Sequence, residues 1–198
     1  MARRVDAEAR RADIANKAMK LFADVGYDNV TLIMIAYEAK VARTVLYRHF
    51  KNKREVLDAA ILANTRMIMA ECRRIADRPE SARRRLEAIC LRVADILFER
   101  KDYLTAIFDF VLAMVREGEE MGGKIMEFTF RLRETVKALV GEGRANGEFA
   151  AWIDPEATAE GLFAQLELTV MRIVLRTETD PQSAGRRLRE AIRAISRP

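Results

Sequence analysis

The sequence predicts an all-α fold of about nine helices, and three observations carry that prediction. Breakers are scarce: nine glycines and four prolines in 198 residues leave few positions that interrupt a helix. Half of the residues are apolar and a third are charged, the balance of a globular chain able to bury a sizeable core. The apolar residues recur at helical spacing along the chain, with no strand-like alternation and no internal repeat.

The elements follow in order. Asp6 suits the cap of a first helix running to about residue 25, whose Ile14, Ala18, Leu21, Phe22 and Val25 keep helical spacing. Gly26 then fits the left-handed position that ends it. Thr31 is the N-cap expected for a short second helix through Ile35 and Ala36 to about Ala39. A tight turn leads to a third helix near Arg43 to His49, which makes a helix-turn-helix pattern. Asn52 and Glu55 form a capping box that opens a long fourth helix through Val56, Leu57, Ile61, Ile68 and Ile75 to a stop near Pro79.

Helical spacing continues through Leu86, Ile89, Val93 and Ile96, then through Leu104, Ile107, Phe108, Val111 and Val115. Because Ala106, Phe110 and Met114 add a second apolar face to the latter, that helix is expected to be buried on several sides. After Gly122-Gly123, Ile125, Phe128, Leu132, Val136 and Leu139 trace a seventh helix, and GEGRANGEF reads as a connection. Asp154-Pro155 and Asp180-Pro181 each place a capping residue before proline, which starts helices over about 155–176 and 181–196. Leu162, Phe163, Leu166, Val170, Ile173 and Val174 on the eighth, with Leu188, Ala191, Ile192 and Ile195 on the ninth, offer more apolar face than surface helices need. Pairing with the same helices of a second copy gives a four-helix bundle and a homodimer; intrachain core is the alternative.

No apolar run reaches a bilayer span, since the best, Tyr103 to Val115, is short and carries Asp109. The amino end, MARRVDAEARRAD, has charge but no secretory apolar segment, so a cytoplasmic protein is expected, without membrane contact. Cys72 and Cys90 lack the spacing of a zinc site and read as reduced core thiols. The first 60 residues hold 12 Lys and Arg against 8 Asp and Glu, whereas the remaining 138 hold 23 against 22. That asymmetry suits an amino-terminal part that meets a polyanion, or simply a solvated basic face.

The segment IANKAMKLFADVGYDNVTLIMIAYEAKVARTVLYRHFKNKREVL strongly resembles the DNA-binding region of TetR-family transcriptional regulators. The pattern is met by Ile14, Ala18, Leu21, Phe22, Gly26, Tyr27, Thr31, Ile35, Ala36, Val41, Leu46, Tyr47, His49, Phe50 and Lys53. The resemblance covers about a quarter of the chain. It implies a helix-turn-helix domain over 1–52 and a helical effector-binding and dimerisation domain over 53–198.

Physical chemistry assigns the same residues. A helix fits the major groove, where short side chains near its amino end read base edges; Arg43 and Thr44 stand there. Hydroxyls and cations hold phosphates, for which Thr31, Tyr47, His49 and Lys53 are suited, while Ile35, Leu46 and Phe50 face the core. Each has a plainer alternative: His49, the single histidine, as a packed side chain, Tyr47 at the core edge, Lys53 as a solvated cation. Arg3, Arg4, Arg10 and Arg11 form either an arm along the backbone or a soluble tail.

Four positions depart from the family pattern. Lys40 stands where glycine is usual, at about 1 kcal/mol if that position needs positive φ. Ala42 replaces the usual serine and with it a cap of about 1 kcal/mol. Thr44 and Val45 replace a common glycine and threonine. These departures leave a second reading, a helical dimeric interaction protein with a degraded DNA-binding head.

In the resembled family the helical remainder encloses a small-molecule pocket whose occupancy moves the fourth helix. The candidate lining residues here are Asn64, Phe98, Tyr103, Phe108, Phe110, Met114, Phe128 and Gln165, with Trp152, Phe163, Met171, Thr129 and Glu167 beside them; core packing is the commoner role for such side chains. Few charges interrupt these helices, so the expected effector is mainly apolar. With one histidine and no GxSxG, HExxH, Walker or GxGxxG motif, neither an enzyme nor a cofactor or metal site is expected.

Overall fold

The computed structural model describes residues 2–118, 123–177 and 180–197, with side chains from Ala7 onward except that of Lys124. Arg3, Arg4 and Gly122, singled out in the sequence, therefore lie outside the described side chains or residues. Nine helices are present among the described residues: α1 (Ala2–Val25), α2 (Leu32–Glu38), α3 (Arg43–His49), α4 (Lys53–Ala76), α5 (Ala82–Glu99), α6 (Lys101–Arg116), α7 (Gly123–Ala145), α8 (Pro155–Val174) and α9 (Pro181–Ile195). Among the same described residues, extended pairing is limited to an isolated bridge between Phe149 and Ser196.

The local chemistry explains most boundaries. The Asp154 carboxylate accepts from Ala157 N–H at 2.8 Å and that of Asp180 from Gln182 and Ser183 N–H at 2.9 and 3.1 Å, each with proline in the first helical turn. Asn52 Oδ1 accepts from Glu55 N–H at 2.9 Å while the Glu55 carboxylate reaches back to Lys51 N–H at 3.0 Å. Gly26 has φ +83 and closes α1 through its N–H to Phe22 C=O. Three expectations shift. The first helix begins at Ala2, so Asp6 lies inside it; the eighth ends at Val174; and GEGRA belongs to α7, leaving a shorter connection.

Two compact units divide the chain: Met1–Arg66 with Asp102–Met126, and Met67–Lys101 with Glu127–Pro198. In the first, Ile14, Ala18, Phe22, Ile35, Leu46, Phe50, Leu57 and Ile61 form one core that Ala106, Phe110 and Met114 of α6 complete. Burying a side chain of Leu or Phe size contributes about 1.5–3 kcal/mol, so the short helices α2 and α3 are held by packing rather than by propensity.

In the second unit Leu86, Ile89, Val93, Leu132, Val136, Phe149, Leu162, Leu188 and Ile192 form the core. The Gly143 backbone requires glycine: a Cβ there would meet the Phe149 ring at 2.4 Å. The apolar stripes foreseen for self-pairing on α8 and α9 largely pack within the chain, Leu162, Phe163, Leu166, Ile173, Leu188 and Ile192 being buried. A different row of α8 faces outward: Ala157, Gly161, Ala164, Leu168, Met171 and, at its end, Leu175.

Cys72 and Cys90 are free and buried, and burial pushes their thiols up to about 11 and about 12. Both stay protonated near neutrality. Among the described residues no helix is long and apolar enough to cross a membrane, and no cluster of His, Cys, Asp or Glu is placed to hold a metal.

Candidate nucleic-acid interface

The helix-turn-helix grows from two caps and one strained turn. Thr31, extended at φ −115 and ψ 158, accepts Met34 N–H on its hydroxyl at 3.3 Å and so starts α2. At the other end Lys40 N–H donates to Tyr37 C=O and Val41 N–H to Ala36 C=O, both at 3.0 Å. That pair is a Schellman closure, whose middle residue must be left-handed. Lys40 takes it at φ 53, so the position where glycine was missed does need positive φ, at a cost of about 1 kcal/mol. Ala42 caps α3 without any side-chain hydrogen bond, the second loss foreseen.

α3 buries Leu46 completely and seats Phe50 just beyond its end. That anchoring turns Arg43, Thr44, Tyr47 and Arg48 outward, with Tyr47 54% exposed. His49 is half-buried; burial first, then Arg48, Arg11 and Arg10, hold its pKa below the ordinary value. The imidazole is neutral at pH 7, so it offers a hydrogen bond to a polyanion but no charge.

Arg11 and Lys53 serve the head's own architecture. Arg11 donates to the His49 carbonyl at 2.9 Å, covers the Phe50 ring at 4.6 Å and lies 3.9 Å from Glu55. Arg10 approaches Asp13 at 4.0 Å on the same helix. Both residues thus belong to α1 rather than to an extended arm. Lys53 Nζ donates to the Tyr27 and Asp28 carbonyls at 2.7 and 2.8 Å and sits 4.5 Å from the Tyr27 ring centroid. It staples the start of α4 to the α1–α2 loop, and two of its three N–H groups are taken by these carbonyls. From α6, Asp109 accepts Tyr27 N–H at 2.5 Å and Phe110 stacks obliquely on Tyr27 at 4.9 Å.

The outward surface of the α2–α3 segment carries four cations, Lys40, Arg43, Arg48 and Lys51, all exposed. None has an ion-pair partner among the described residues, and the segment 31–52 holds one carboxylate, Glu38. Sequence reasoning passed over Tyr37, which is 86% exposed, and Ile33, which is 46% exposed. The available signal was their spacing of four on a helix whose Ile35, Ala36 and Ala39 supply the core.

The foreseen lining residues divide between the units. In the first, Asn64 is buried and its amide donates to Asn16 Oδ1 at 3.0 Å and to the Ala60 carbonyl at 2.9 Å, joining α4 to α1. Phe110 and Met114 belong to the head core, and Tyr103 packs against it; Phe108 is half-buried. In the second, Phe98, Phe128 and Gln165 are half-buried, Phe163 is core, Met171 faces outward, and Trp152 is 79% exposed. A groove of about 720 Å³ in the first unit runs between α1, the end of α3 and α4, and none of these candidates lines it.

Comparison with known proteins accords with this geometry. Residues 14–60 match the family described as bacterial regulatory proteins, tetR family, and the head is a TetR-type helix-turn-helix. Over 166 residues the chain is 24% identical to the nucleoid occlusion factor SlmA of Vibrio atlanticus, covering 83% of this chain and 84% of that one. Its fold is that of FadR from Bacillus subtilis in complex with stearoyl-CoA, with TM-score 0.71, 19% identity and coverage of 91% and 96%. The SmeT–triclosan complex superposes with TM-score 0.75 at 22% identity, covering 96% and 92%.

Proposed function

We propose, from the premise of a TetR-type head on an all-helical chain, that this protein is a ligand-responsive transcriptional regulator. It acts in the cytoplasm as a homodimer on an inverted-repeat operator, represses from it, and is released by a mainly apolar small molecule. One observation carries the reading: Arg43, Thr44 and Tyr47 stand outward on α3 among cations that no carboxylate of the described residues neutralises.

In this reading Arg43 and Thr44 meet base edges, and Thr31, Tyr47, His49 and Lys53 hold phosphates, Lys53 with its one remaining N–H. Residues 1–52 form the reading head and 53–198 the effector and dimerisation part. The outward row of α8 supports self-association, because Gly161, Ala164, Leu168, Met171 and Leu175 alternate by threes and fours along one face. Two heads must stand about 34 Å apart to meet successive major grooves. A small shift of α4 on effector binding spoils that spacing, and a coupling of about 1–3 kcal/mol changes operator affinity roughly 5- to 150-fold. The folds shared with proteins solved with stearoyl-CoA and triclosan support an apolar effector, for which the candidates are either the half-buried Phe98, Phe128 and Gln165 of the second unit or, in the first, the half-buried Tyr103 and Phe108 with the buried Asn64, Phe110 and Met114.

Selection of genomic fragments by the purified protein at physiological salt tests the reading: an inverted repeat is the expected product. The strained Lys40 and the uncapped Ala42 favour the second reading, a dimeric interaction protein with a degraded head, and salt-sensitive retention without sequence preference would select it instead. Dimerisation has its own check. Nothing lies within 4 Å of a Cβ at Gly161, so Gly161→Arg leaves the protomer folded and is expected to sediment as a monomer.

A further inference from the structure

The groove between α1, the end of α3 and α4 has no role in the reading above. It lies within the first unit and holds about 720 Å³, inside the range of about 300–1,000 Å³ that takes a small molecule. Its hollow has a cause in the sequence. Ala59 and Ala63 lie one turn apart on α4, and Ala12 lines the other side from α1, so that short side chains with Leu62 beside them make a half-buried apolar floor. A longer side chain at any of these alanines would narrow it.

Charge identifies what fills that hollow. Part of the polar lining is spent on the groove's own wall: Arg11 donates to the His49 carbonyl and lies 3.9 Å from Glu55, whose carboxylate accepts Lys51 N–H. Arg48, Lys51 and Arg66 remain, exposed and without an ion-pair partner among the described residues, while Glu8 and Asp58 are the other carboxylates of the lining. The field at the groove is positive, since after burial it is Arg48, Arg11 and Arg10 that lower the His49 pKa. A neutral apolar molecule would leave these cations unanswered, and an inorganic anion would leave the apolar floor wet. A duplex answers the rim without filling the floor.

We propose that the groove is a small-molecule site for an amphipathic organic acid, whose apolar body lies on Ala12, Ala59, Leu62 and Ala63 and whose acid group is held by Arg48, Lys51 and Arg66. Binding stands on the groove alone. Its consequence rests on the DNA-binding reading: Tyr47, Arg48 and Lys51 line the groove and also belong to the surface that meets the duplex. Acid and DNA therefore exclude each other directly, without the shift of α4 through which the effector acts.

The test titrates the full chain with anilinonaphthalenesulfonate, an aromatic sulfonate that binds exposed apolar surface and fluoresces there. Two substitutions outside the DNA contacts locate it. Ala63→Trp, which fills the floor, is expected to abolish binding in the groove, and Arg66→Gln to weaken it about 3- to 10-fold. Arg66→Gln keeps the melting temperature and the duplex affinity, which rules out loss of fold as the cause. Neutral phenylnaphthylamine, which lacks the sulfonate, binds about 10-fold more weakly or less. A duplex selected by the unaltered protein displaces the sulfonate, whereas inorganic sulfate at the probe's concentration does not. No binding of the sulfonate, binding that survives both substitutions, or equal binding of the neutral probe overturns the site. Sulfonate and selected duplex bound together overturn the direct exclusion. If the unaltered protein selects no duplex, the DNA-binding reading falls, and the sulfonate titration still decides the site.

Discussion

The cations of the α2–α3 surface and a set of paired cations in the second unit are used in opposite ways, while Arg73, Arg74 and Arg84 of that unit are exposed without a carboxylate partner among the described residues. In the second unit, among the described residues, Arg78, Arg85, Arg92, Arg131, Lys137, Arg186, Arg189 and Arg193 meet carboxylates. Arg92 is the fullest case, bonded to Glu71 at 2.7 Å and to Glu99 at 2.9 Å, and these bonds raise its pKa and lower that of Glu71. Lys40, Arg43, Arg48 and Lys51 have no such partner among the described residues. Exposed ion pairs contribute little to stability, so the contrast says less about folding than about availability. A paired cation is already answered; an unpaired row on a small, rigid head is poised for an anion from outside.

The strongest way to break this comparison is to neutralise each set in turn. Four phosphate contacts per head in a dimer contribute about −7 to the slope of log affinity against log salt, or roughly 10⁴-fold weaker binding at 200 mM than at 50 mM salt. Changing Lys40, Arg43, Arg48 and Lys51 to Gln is expected to flatten that slope to about −2, the share that the Lys53 contact of each head retains, whereas changing Arg92, Arg186, Arg189 and Arg193 to Gln leaves it unmoved. Titration of binding against salt, by fluorescence anisotropy on a labelled duplex, decides. Equal flattening by both sets would remove the distinction.

A smaller effect sharpens the comparison inside the head. Lys40 serves two purposes that conflict: it occupies a left-handed position at φ 53 and it carries one of the four unpaired charges. Lys40→Gly is expected to stabilise the head by about 1 kcal/mol while lowering the salt slope by about 2 units per dimer. Denaturant unfolding and the same salt titration measure the two consequences separately. If stability does not rise, the turn carries no strain and the departure from glycine is neutral.

How far the sequence revealed these features depended on how local each is. The caps at Thr31, Asp154 and Asp180, the left-handed Gly26 and the cost at Lys40 were legible because each is decided within a few residues. The buried Ile35, Leu46 and Phe50 followed from spacing. What escaped depends on long-range packing. Nothing local to Lys53 tells that the Tyr27 and Asp28 carbonyls, 26 and 25 residues earlier, are brought to its ammonium. The stripes on α8 and α9 look like a dimer face until the second unit's own core is seen to occupy them, and the outward row of small residues on α8 is weakly apolar and escapes a search for strong periodicity. Tyr37 was missed for the converse reason: a tyrosine near a helix-turn-helix core reads as packing until its exposure is known.

The smallest effect lies in the second unit and turns on a carboxylate that is answered not by a cation but by backbone. Glu148 accepts the Ala82 and Arg83 N–H groups at 3.1 and 2.9 Å, at the start of α5. Burial acts to raise its pKa, but the N–H groups of Arg83 and Ala82, the Ser81 hydroxyl and the nearby Arg85 outweigh burial and leave it below the ordinary value. A carboxyl whose folded pKa is depressed stabilises the fold fully above its unfolded value, near 4.3, and loses that contribution as pH falls through the folded value. Glu148→Gln, which keeps shape but not charge, is therefore expected to lower the melting temperature modestly at pH 7 and to converge with the unaltered protein as acid is added. A difference that persists unchanged well below pH 4 would mean that hydrogen-bond geometry, not charge, is what Glu148 supplies to α5.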